Sequence, residues 1–144
     1  MPYSADAYGI YYRTDIFEEA GVTADWESWD DYIAVLQKLH AHLEGTDVAP
    51  MVHYWGQIEQ PAASFMGMYY GYLVTKDGRY GLEREKAGAA LDKMQSLLAF
   101  NPEGALSLDI NAGNAEFLNG KAAMIFKLHH AIAAVSYTHL RAHE

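Results

Sequence analysis

The 144-residue chain has no cysteine, only four prolines, and 10 Lys and Arg against 19 Asp and Glu. Without cysteine there are no disulfides, no thiolate zinc sites and no thiol nucleophile. The redox compartment stays open, because a cysteine-free chain is at home inside or outside the cell. The shortage of basic residues leaves a formal net charge of -9. That excludes a generic nucleic-acid surface, whose affinity depends on clustered Lys and Arg displacing counterions. A long apolar run is also missing. The best candidate, Phe65 to Val74, is broken by Gly67 and Gly71 and falls well short of the roughly 20 residues a membrane-spanning helix needs. The first residues, Met1 to Asp6, lack a basic segment followed by an apolar stretch, so no signal peptide is expected. A piece from the middle of a longer secreted chain would look the same.

What is present is core material. Half the residues (51%) are hydrophobic and 13% are aromatic, against 20% charged, enough apolar surface to offset the entropy of ordering the chain. Tyr8 to Arg13 is aromatic and β-branched, hence strand-like. Thr14 or Asp15 is placed to cap a short helix over Ile16 to Ala20, which Gly21 stops. Ser28 precedes Asp31 by three residues, a capping-box spacing. Trp29, Tyr32, Ile33, Leu36, Leu39, His40 and Leu43 then form one helical stripe ended by Gly45. Val48 to His53 reads as a buried strand, and Pro61 suits the first turn of a helix running to about Leu73. Lys76 to Arg79 is a turn. Glu83 to Phe100 is a further amphipathic helix, broken by Asn101-Pro102 and Gly104. A short helix over Asn111 to Leu118 and an apolar strand, Ala122 to Phe126, complete the series. Strands separated by helices indicate α/β or α+β layering, with helices packed on a small sheet. Residues 136–144 share no apolar period with what precedes them and are set apart as a non-native or disordered tail; residues 1–135 form the domain.

The usual carriers of chemistry are poorly represented. His40 and His42 project roughly 200° apart on a helix, His129 and His130 are adjacent, and His139 and His143 lie in the tail, so no metal site is expected. No nucleophile elbow, phosphate loop, dinucleotide fingerprint or zinc-protease motif occurs. Neither catalysis nor a cofactor is expected. Trp29 and Tyr32 read as core. The segment His53-Tyr54-Trp55-Gly56-Gln57 is different, because it lies at the C-terminal end of a strand, where open α/β sheets bind ligands. An indole, a phenol, an imidazole and a carboxamide within five positions suit a polyhydroxylated molecule, with ring faces on its C–H surface and polar groups on its hydroxyls. A structural anchor would use the same residues.

Three blocks, in this order, carry a resemblance: Tyr11 to Gly21, Trp29-Asp30-Asp31-Tyr32, and Ala115 to Met124. They resemble the extracellular solute-binding proteins of ABC importers, in particular the sugar-binding branch that includes maltodextrin-binding proteins. The resemblance covers about residues 1 to 135. It implies part of a type II periplasmic-binding-protein fold, mainly the second lobe, with helices on a small mixed sheet. It also implies a sugar or similar polar solute as ligand, an ABC permease as partner of the complete receptor, and a periplasmic or extracellular location, with a lipoprotein anchor as one form. Tyr12 falls on the second strand tyrosine of the family pattern, and Arg13 replaces its usual asparagine. His53, Tyr54, Trp55 and Gln57 lie where similar receptors place ligand contacts. His130 falls where the family commonly has a stacking tryptophan, and Lys127-Leu128-His129 lacks the glycine that precedes it. The smaller imidazole widens the expected ligands toward polar or anionic solutes. A small carbohydrate-active hydrolase or lyase, or a non-catalytic interaction module, is the alternative.

Overall fold

The computed structural model describes residues 8–57, 59–71, 73 and 77–128. Two strands form its sheet, β1 (Tyr8–Tyr12) and β2 (Met124–Leu128), paired antiparallel with Tyr8 opposite Leu128 and Tyr12 opposite Met124. The apolar run around Met51 joins β2 from the other side in parallel, but only through isolated bridges, Ala49 with Ala122 and Val52 with Ile125. Pro50 has no N–H to give, and the Met51 amide turns away to the Phe100 carbonyl at 3.1 Å. In place of the continuous third strand expected here, the segment alternates its hydrogen bonds between two neighbours.

Five helices follow from local signals. In α1 (Thr14–Ala20) the cap is Arg13 rather than Thr14 or Asp15, since the Arg13 carbonyl accepts from Phe17 at 3.1 Å and its guanidinium pairs with Asp15. Gly21, at φ 61°, closes this helix in the left-handed region. In α2 (Trp29–His42) the expected capping box is present: Ser28 Oγ accepts from the Asp31 amide at 3.2 Å and Asp31 accepts from the Ser28 amide at 3.0 Å. Its stripe buries Tyr32, Leu36 and Leu39. Helix α3 (Gln60–Tyr69) stops four residues before the expected end at Leu73. Tyr70 turns into the left-handed region at φ 47°, and Gly71 passes so close to the Tyr69 ring that a Cβ there would sit 2.3 Å from it. The Tyr69 hydroxyl then accepts from the Glu83 amide at 2.7 Å, joining this turn to the start of α4 (Arg84–Leu98). A 3-10 turn (Ala105–Ser107) leads to α5 (Ile110–Leu118), capped by Asp109 accepting from the Ala112 amide at 2.8 Å.

Alternation along the strands divides the core. Ile10, Tyr12, Met51 and Met124 point to one face, which packs under α1 to α4 with Phe17, Leu36, Leu39, Met68 and Leu97. Tyr11, Val52, Tyr54 and Ile125 point to the other, where Phe117 of α5 meets them. Helices packed on a small sheet, here an antiparallel pair with a parallel neighbour held by isolated bridges, are the α/β arrangement expected.

Candidate functional site

The segment 53–57 leaves the bridged strand at its C-terminal end and runs to α3. Three interactions hold it. The His53 amide donates to Asn101 Oδ1 at 2.8 Å, and the Asn101 carboxamide donates to the Leu97 carbonyl at 2.8 Å, so the residue that breaks α4 also anchors the loop. The Gly56 amide donates to the Leu108 carbonyl at 2.9 Å. The approach there is so close that a Cβ on Gly56 would lie 2.8 Å from the same oxygen. The Tyr54 hydroxyl donates to Asn114 Oδ1 of α5 at 2.7 Å.

Strand alternation persists into the loop. His53 and Trp55 face the α2–α4 side, Tyr54 the α5 side. His53 is 2% exposed, with Nε2 2.6 Å from Ser64 Oγ. Burial pushes its pKa down to about 4, against a smaller opposing pull from the Phe126 backbone, so the imidazole is neutral at physiological pH. Tyr54 is also buried, its ring seated over Gly113, where a Cβ would lie 2.6 Å from it. Trp55 is partly exposed and stands edge-on to His53, ring centroids 5.0 Å apart. Its indole N–H is buried and has no hydrogen-bond acceptor among the described residues. Gln57 is exposed. Tyr12 lies elsewhere: the register puts it opposite Met124, at the far end of β1 from the loop, with its ring 4.5 Å from Phe17. His130 lies outside the described residues.

A second aromatic surface was not anticipated. A pocket of about 280 Å³ opens between the start of α2 and the end of α3, walled by Trp26, Trp29, Tyr32, Tyr70 and Phe126, with Glu27 at its rim. Trp26 packs edge-on to Tyr32 at 5.1 Å, and Trp29 does so at 5.8 Å. Tyr70 is 79% exposed in its left-handed conformation, an uncommon combination for an aromatic residue. The pocket shares Trp29, Tyr32 and Phe126 with a small void beside His53, which sets it against the base of the loop. Trp29 and Tyr32 read as core in the sequence because they fall on the α2 stripe. The signal for Trp26 was its place just ahead of a capped helix, from which an aromatic can staple onto the first turns.

Among the described residues no group of three or more His, Cys, Asp or Glu is arranged to hold a metal ion. No helix among them is long and apolar enough to cross a membrane.

Helices on both sides of a mixed sheet, with an aromatic loop at the C-terminal end of its parallel pair, are the architecture of one lobe of a periplasmic-type solute-binding protein. Solved structures share it. The maltose-bound MalE3 of T. maritima matches at a TM-score of 0.71 and 23% identity, over 85% of this chain and 32% of that one. A solute-binding protein from Agrobacterium vitis with bound D-mannitol matches at 0.75 and 21%, over 90% and 32%. One from Thermotoga lettingae, bound with α-D-tagatose, matches at 0.74 and 17%, over 92% and 36%. The chain thus spans about a third of the length of the structures it matches. A comparison with curated proteins returns no match. The profile of the bacterial extracellular solute-binding proteins matches residues 1–137, and the chain belongs to that family.

Proposed function

We propose that the chain forms one wall of a two-lobed receptor that captures a sugar or similar hydroxylated solute for an ABC importer, without chemical conversion. The observation that carries this reading is the Trp55 indole: partly exposed at the C-terminal end of the bridged strand, with an N–H that no acceptor among the described residues satisfies. An unmet indole donor on a partly exposed ring fits a ligand hydroxyl and the adjoining C–H surface. In this reading Trp55 and Gln57 meet the solute directly. His53 and Tyr54 serve from behind, locking the loop through Ser64 and Asn114, and the Trp26–Trp29–Tyr70 pocket extends the aromatic wall. Tyr12 supports α1, and His130, outside the described residues, stays a candidate contact. The sugars and polyols bound by the structural neighbours, maltose, D-mannitol and tagatose, agree with this class of ligand. The other lobe closes over the solute, and the closed form presents both lobes to the permease. The complete receptor works in the periplasm or at the outer surface of the cell, held there as a lipoprotein where no outer membrane retains it.

Calorimetric titration of the complete receptor with maltose, mannitol and tagatose tests this. Trp55→Ala should weaken whichever binds by about 1–3 kcal/mol, the loss of one stacking anchor. Unchanged affinity removes the loop from the site, and turnover of any sugar rules out capture without chemistry.

A further inference from the structure

On the α5 side of the sheet one residue is unlike its neighbours. Lys127 follows Ile125 on a face otherwise made of Tyr11, Val52 and Phe117, and it is only 4% exposed. Its Nζ donates to Asn114 Oδ1 at 2.7 Å, the same oxygen that accepts from the Tyr54 hydroxyl at 2.7 Å. No carboxylate among the described residues pairs with it. Burying an ammonium without a counter-charge is costly, and desolvation holds Lys127 below the ordinary lysine range.

The donor count is decisive. Lysine has donors only, so the Asn114 carboxamide must turn its oxygen toward Nζ, and two donors occupy that oxygen. This leaves two N–H groups on Lys127 and the amide nitrogen of Asn114 without an acceptor among the described residues. The cluster lies at the C-terminal end of β2, beside the end of the sheet where the 53–57 loop leaves, and Tyr54 joins the two. Asn114 is partly exposed, which sets the cluster at the surface of this face.

We propose that Lys127 and Asn114 form a seat for one carboxylate of the captured solute, so that the receptor selects acidic sugars, the uronates, over neutral ones. The proposal rests on the solute-capture reading above. One ammonium beside one neutral amide matches a single negative charge shared over two oxygens. A phosphate dianion would leave charge unbalanced, and a neutral hydroxyl would leave the ammonium uncompensated.

The test titrates the complete receptor with neutral hexoses and their uronates as matched pairs, with a hexose 6-phosphate, and with succinate. A uronate should bind roughly tenfold or more tightly than its neutral partner. Lys127→Met should bring the uronate's affinity down to that of its neutral partner. Asn114→Asp, which supplies an internal carboxylate to Lys127, should do the same while the far- and near-ultraviolet circular dichroism stays unchanged, so the result does not depend on either variant alone. Equal or weaker uronate binding overturns the proposal, as does a preference that survives both substitutions. Tightest binding of the phosphate overturns the choice of carboxylate. Lys127-dependent binding of succinate without any sugar keeps the carboxylate seat and overturns sugar capture; no binding by any probe overturns both.

Discussion

The two faces of the sheet are built from alternate residues of the same short strands, yet they solve different problems. The face under α1 to α4 buries a broad cluster, with Leu36 and Leu39 fully enclosed, and its buried polar groups are few, His53 with Ser64 among them. The face under α5 buries a small cluster around Val52, Phe117 and Ile125 and gives way to Tyr54, Asn114 and Lys127. Burial on the first face supplies the stabilising area. The second face gives up part of its smaller core to a polar network. Most of the apolar burial thus lies on one face and the Tyr54–Asn114–Lys127 cluster on the other, with the 53–57 loop crossing between them.

The sharpest way to break this comparison is to truncate the first face. Leu39→Ala should cost about 2–5 kcal/mol, because it removes a fully buried side chain and leaves a cavity that the surrounding helices cannot collapse into. Denaturant titration reads it directly. A cost below that of a change on the α5 face would mean the larger cluster is not the main source of stability.

The next test uses protons. His53 is buried and neutral, with its pKa lowered to about 4 from an ordinary 6.5. In the unfolded chain the imidazole takes up a proton as pH falls through 6.5, whereas in the folded protein it resists until about 4. The stability contribution is therefore complete above pH 6.5 and is lost progressively down to about pH 4, on the order of 3 kcal/mol in all. Melting temperature followed from pH 7 to pH 4 should fall in this window, and His53→Gln should flatten that part of the curve. A wild-type curve without the fall would show that His53 is solvated in solution.

Much of this division could be read from the residues, and the limits were physical. The α2 capping box was legible because Ser28 and Asp31 lie three residues apart and need nothing from the rest of the chain. The family blocks carried the fold for a related reason, since each is a local unit with its own turn and cap. What failed depended on contacts across the chain. Pro50 and the Phe100 carbonyl turned a strand into two bridges, and the passage of Gly71 over Tyr69 ended α3 early. Of the loop residues expected to meet a ligand, alternation from Met51 onward already placed Tyr54 on the opposite side from His53 and Trp55, a period-two signal that composition alone hides. Tyr70 and Lys127 carried no such signal. A buried lysine looks like any surface lysine until the partner helix is in place.

The smallest effect, and the most specific to the α5 face, comes from Gly113. Its φ is ordinary, so glycine is there for space and not for backbone freedom. A Cβ would lie 2.6 Å and 2.7 Å from two atoms of the Tyr54 ring. Gly113→Ala must push that ring away and lengthen the hydrogen bond from its hydroxyl to Asn114, now 2.7 Å. Overpacking of this kind costs about 1–3 kcal/mol, partly offset by alanine's better helix propensity within α5. The double variant Gly113→Ala with Tyr54→Leu gives the new methyl room, so its cost should be clearly less than the sum of the two single changes. Simple additivity would mean that α5 moves as a whole to accommodate the added methyl, and that Tyr54 is not the contact fixing the helix against the loop.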